Sequence, residues 1–94
     1  MASITGKIMS INCARTGTAI GLDNDPNKGP KNNTFLLKLE HSNYNALFSL
    51  ALAAAANRWP LSIRIEGNDA IDSAKEADVR NMGVAWKEGA FNDD

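Results

Sequence analysis

Between His41 and Arg58 lie sixteen consecutive residues, Ser42 to Asn57, without a charged side chain. Alanine and leucine dominate the run and are among the strongest helix formers. Ser42 and Asn43 stand where a helix begins, and Arg58-Trp59-Pro60 where one must end, because proline cannot continue the backbone ladder. The run therefore predicts one helix, capped by Ser42 or Asn43. Surface helices normally carry charge on their outer face, and this one has none to place there. Tyr44, Leu47, Phe48, Ala51, Ala54 and Ala55 follow helical spacing and are expected to cover the core. Asn45, Ser49, Leu52, Ala53 and Ala56 make the opposite face, small and uncharged, and are expected to form an oligomer interface together with Leu36. At sixteen residues the run falls short of the roughly 20 needed to span a bilayer, so no membrane insertion is expected.

On either side of the helix the pattern is that of strands. Residues 4–14 alternate, but the phase slips: Ile4, Gly6 and Ile8 share one face, then Met9, Ile11 and Cys13 the next set. Such a slip predicts a β-bulge near Ile8-Met9 in a long bent strand. Thr18–Leu22 is a second strand, with Ile20 and Leu22 inward. Thr34–Glu40 is a third, with Phe35, Leu37 and Leu39 inward and Leu36, Lys38 and Glu40 outward. Leu61–Glu66 is a fourth and Val79–Lys87 a fifth, with Met82, Val84 and Trp86 on one face. Asp23–Asn33 consists of turn formers and polar residues and is expected to be an exposed, mobile loop. Asp69–Asp78 suggests a short turn packed through Ile71 and Ala74, and Glu88–Asp94 a frayed tail. The chain of 94 residues reads as a single domain spanning 1–94.

Strand-strand-strand-helix-strand-strand, with a bent first strand, is the element order of a five-stranded OB-like Greek-key barrel. The expected class is thus mainly β with one helix; an α+β sheet with one packed helix is the alternative. The segment from Asn33 to Glu66, through Tyr44–Ala55 and the Leu61-Ser62-Ile63-Arg64-Ile65 that follows, also resembles the matching part of the binding subunits of AB5-type bacterial toxins. That likeness covers about a third of the chain and is one of pattern. It implies an OB-type barrel, a ring-shaped homo-oligomer (a pentamer in that family) and glycan binding.

Composition restricts the function classes. The net charge is −1, and the ten basic residues are scattered from Lys7 to Lys87, so general affinity for phosphate backbones is not expected. The one cysteine, Cys13, excludes an internal disulfide and reads as a buried small hydrophobe; the one histidine, His41, reads as a solvated residue ahead of the helix. With no second His or Cys, neither a nucleophile-base pair nor a metal cluster assembles from local motifs, so no enzyme and no cofactor are expected. Asp23-Asn24-Asp25-Pro26-Asn27 has the alternation of oxygen ligands found in calcium loops. Gly29 comes one place late, however, and Thr34 stands where the bidentate Glu belongs. A polar turn is the simpler reading. The acids Asp69, Asp72, Glu76 and Asp78 read as a solvated face. Trp59 and Trp86 are best able to stack on a sugar or a base, with Arg58 and Asn32 as candidate polar contacts. The expected function is a non-catalytic binding module that self-associates through its helix, with a glycan as the ligand class that the resemblance implies. The alternative is a cytoplasmic OB module for single-stranded nucleic acid or a protein. The first residues lack a basic stretch followed by an apolar one, which favours the cytoplasm, or secretion if the chain begins at a mature N-terminus.

Overall fold

A computed structural model describes residues 3–25, 27–66 and 75–84. The protein is mainly β with one helix. The described residues include six strands, β1 (Ser3–Gly6), β2 (Ile8–Ala14), β3 (Gly17–Leu22), β4 (Thr34–Lys38), β5 (Leu61–Ile65) and β6 (Ala77–Val84), the helix α1 (Tyr44–Asn57) and a 3-10 turn at Lys31–Asn33. The strands form one mixed sheet in the order β1-β5-β6-β4-β3-β2. All pairings are antiparallel except β4 with β6. Six strands appear instead of five because the expected first strand divides at Lys7. Its two pieces, consecutive in sequence, stand at opposite ends of the strand order.

The phase slip has the predicted consequence. Ile8 pairs with Leu22 and Ser10 with Gly21, so Met9 is the extra residue of a bulge and is 72% exposed. Beyond it the faces are regular. Ile11, Ile20 and Phe35 align on the inner side, as do Cys13, Thr18 and Leu37, while Asn12, Ala19 and Leu36 align on the outer side. The core comprises Ile20, Leu22, Phe35 and Leu37 from one part of the sheet. Leu61, Ile63, Ile65, Val79 and Met82 come from the other, and Leu47, Ala51 and Ala54 from the helix.

Two inward assignments do not hold. Leu39 is 58% exposed: β4 ends at Lys38, and although the Leu39 N–H still bonds in register to the Thr16 carbonyl, Thr16 lies in the β2–β3 turn, past the end of β3, where the core face is no longer covered. Cys13 is exposed although it shares the inner face with Thr18, since it lies on the last strand of the order, beyond the core's cover. The 23–33 loop is also more tightly held than its composition implies. Gly29 and Pro30 are buried, and the Asn33 side-chain amide donates to the Asn24 carbonyl at 2.8 Å. Trp86, Ile71, Ala74 and the 88–94 tail lie outside the described residues.

The helix packs against β2, β4 and β6. Leu47, Ala51 and Ala54 are buried and Tyr44, Phe48 and Leu50 half-buried against the core, so Leu50 joins the expected inner face, while Ala55 is half-buried at its margin. Tyr44 and Phe48, one turn apart, stack with centroids 5.7 Å apart, and the Tyr44 hydroxyl bonds to the buried Thr18 Oγ1 at 2.8 Å. Asn43 occupies the N-cap position, but neither it nor Ser42 caps with its side chain. His41 instead ties down this end: its Nδ1 accepts from the Asn43 N–H at 3.0 Å while Nε2 meets the Arg80 carbonyl at 2.8 Å. The pair of bonds requires the neutral ring with its proton on Nε2, so His41 is a structural clasp between α1 and β6 and not the solvated residue expected. At the other end Arg58 is left-handed (φ 56°) and the Trp59 N–H reaches back to the Ala54 carbonyl at 3.0 Å, the six-to-one bond of a Schellman ending.

Gly17 opens β3 at φ 153°, a conformation that side chains rarely adopt. A Cβ there would meet the Leu37 carbonyl oxygen and stand 3.0 Å from Lys38 Cα. Gly17→Ala is therefore expected to lower the unfolding free energy by about 2 kcal/mol, read as a fall in the urea midpoint at unchanged m-value.

Candidate functional site

Three strands contribute outward side chains to one groove. The row Asn12–Ala19–Leu36 crosses β2, β3 and β4, and the row Ala14–Gly17–Lys38 lies beside it. Together with the Arg15-Thr16 turn and the exposed Leu39-Glu40 segment they enclose about 590 Å³. Its apolar surface comes from Ala14, Ala19, Leu36 and Leu39. Register places the charged side chains, Arg15, Lys38 and Glu40, at one end, toward the β2–β3 turn. Lys38 Nζ is 3.2 Å from Asp78 Oδ2, with both side chains about half exposed, so this pair contributes little to stability but holds the lysine toward β6.

A second cleft of about 230 Å³, lined by Lys38, Glu40, His41, Glu66, Asp78 and Val79, adjoins this charged end. A third of about 310 Å³ runs from Leu39 to Ala46 at the start of α1. Among the described residues no three His, Cys, Asp or Glu side chains are arranged to hold a metal ion.

The candidate contacts chosen from sequence separate into different places. Leu36 lines the large groove. Arg58 is exposed and Trp59 half-buried at the helix C-terminus, where Trp59 packs against the core. Asn32 is exposed in a 3-10 turn within the 23–33 loop, at φ 57°. None of these three lines any of the three grooves, and Trp86 lies outside the described residues. On the helix, Asn45, Ser49, Leu52 and Ala56 are exposed, with Leu52 at 46%, while Ala53 is half-buried. The groove residues Asn12, Ala14, Arg15, Ala19, Lys38 and Glu40 escaped sequence reasoning. The only local signal for the groove is the outward row Leu36, Lys38 and Glu40 on the third expected strand.

Comparison of the chain with protein-family models, with curated proteins and with solved structures gives no match. No described helix is long and apolar enough to cross a membrane.

Proposed function

We propose that the protein is a non-catalytic binding module that takes a glycan in the β2–β3–β4 groove and self-associates through the outer face of α1. The observation that carries the binding reading is the groove's lining. Apolar Ala14, Ala19, Leu36 and Leu39 suit the C–H faces of a sugar. Asn12, Arg15, Thr16 and Glu40 beside them provide donors and acceptors for its hydroxyls. The lining contains no aromatic side chain, and the Lys38 charge is met by Asp78. Stacking platforms in a positive channel are what single-stranded nucleic acid requires, so that ligand is the less favoured alternative, with Arg58-Trp59 as its place on the surface.

The architecture we infer is a five-stranded OB-like barrel in which β1 and β2 are the two halves of one strand bent at Lys7. Three features support it: the strand order begins and ends on these two pieces, β4 and β6 run parallel, and α1 lies between β4 and β5 in sequence. Self-association is supported by the exposed, uncharged Asn45, Ser49, Leu52 and Ala56. With the resemblance of Tyr44–Ala55 and Leu61–Ile65 to AB5 binding subunits, a closed homo-oligomeric ring, pentameric as in that family, is the assembly we infer.

A glycan array followed by titration of its strongest hit tests the ligand class. Glu40→Ala is expected to weaken that hit about tenfold or more, the cost of losing a charged hydrogen-bond acceptor. Tight oligonucleotide binding that falls steeply with salt would overturn the glycan reading.

A further inference from the structure

The outer edge of β2 is a second surface with its own chemistry. β2 ends the strand order, so among the described residues its backbone is paired only with β3. Its seven residues, Ile8 to Ala14, include no charge and no proline, and Met9, Ser10, Asn12, Cys13 and Ala14 are all exposed. Soluble proteins normally block such an edge with lysine, proline or a cover. Here the bulge at Met9 disturbs one end and leaves Ser10–Ala14 in regular register.

An unpaired strand edge offers a row of N–H and C=O groups, and only another extended backbone satisfies them in sequence. The flanks of β2 select among such backbones. Lys7 precedes the strand and Arg15 follows it, both exposed. A second copy pairing antiparallel about Ile11 would set each Lys7 opposite the other chain's Arg15, and like charges in opposed positions are destabilising. A strand with an acidic residue at each end meets both cations in either direction. Asp23 Oδ1 accepts from the Lys7 N–H at 2.7 Å, which partly offsets that end and makes Arg15 the stronger selector.

We propose that the β2 edge of this protein docks an extended segment of another protein, uncharged in its middle and acidic at both ends, as an added strand. The proposal does not depend on the groove or on the helix interface, and failure of glycan binding leaves it untouched.

Cys13 reports on the edge directly, being the only cysteine of the chain and exposed on β2. The probes are the peptide acetyl-Glu-Thr-Val-Thr-Val-Thr-Glu-amide and its counterpart with lysine at both ends. At roughly ten times its Kd the acidic peptide is expected to slow alkylation of Cys13 by iodoacetamide about tenfold and to shift the amide resonances of Ser10–Ala14. The lysine peptide is expected to do neither, and Arg15→Glu to shift the preference toward it. Three results would overturn the proposal. One is an alkylation rate unchanged by the acidic peptide, and another is equal protection by both peptides. The third is an alkylation rate that falls as the protein's own concentration rises, which assigns the edge to a second copy.

Discussion

Phe35→Ala is expected to remove about 3–5 kcal/mol of stability, a large share of the roughly 5–15 kcal/mol that a domain of this kind possesses. Phe35 is fully buried, and its backbone partners are Ile20 on β3 and Ala77 on β6. It therefore fills the core where the antiparallel strands meet the parallel β4–β6 pair. Truncation leaves a cavity that rigid strands on both sides cannot collapse into. Urea unfolding followed by tryptophan fluorescence measures the loss. A change below about 1 kcal/mol, the range of a surface substitution, would mean that this junction is not the centre of the core.

Leu52→Glu is expected to act on assembly and hardly on the fold. Leu52 is 46% exposed on the uncharged face of α1, glutamate is a good helix former, and the chain's own stability should move by no more than about 0.5 kcal/mol. Between copies, however, each glutamate would be buried beside an apolar helix and close to its symmetry mates. An unpaired charge in such a place costs several kcal/mol, which weakens self-association on the order of a hundredfold or more. Ala53→Glu is a less clean test, because Ala53 is half-buried against its own chain. Sedimentation equilibrium measures the association constant, and thermal unfolding of the dissociated variant measures the fold.

The features legible in the sequence are those set by local periodicity. The helix and its inner face follow from the 3.6-residue spacing of Tyr44, Leu47, Ala51 and Ala54, and the bulge at Met9 from a phase slip visible within eleven residues. Features set by long-range register were not legible. The groove exists because Asn12, Ala19 and Leu36 come into line across three strands, and nothing within any one strand announces that alignment. Cys13 departs from expectation for the same reason: alternation gives its face correctly, but its exposure depends on β2 having no strand on its outer side among the described residues. Leu39 continues the β4 alternation and yet is exposed, because β4 ends two residues before Glu40 and Leu39 lies opposite the β2–β3 turn instead of opposite β3. His41 could not be recognised as a clasp from sequence, since its partner carbonyl belongs to Arg80, 39 residues away.

The central claim is that the uncharged face of α1 is covered by other copies of the chain. Sedimentation velocity on the unmodified protein, from low to high micromolar concentration, tests it most directly. The account predicts one closed species at a small integer multiple of the chain mass, a multiple of five for the ring inferred above, reduced to the single-chain mass by Leu52→Glu. A single-chain mass that persists to the highest concentration would contradict it.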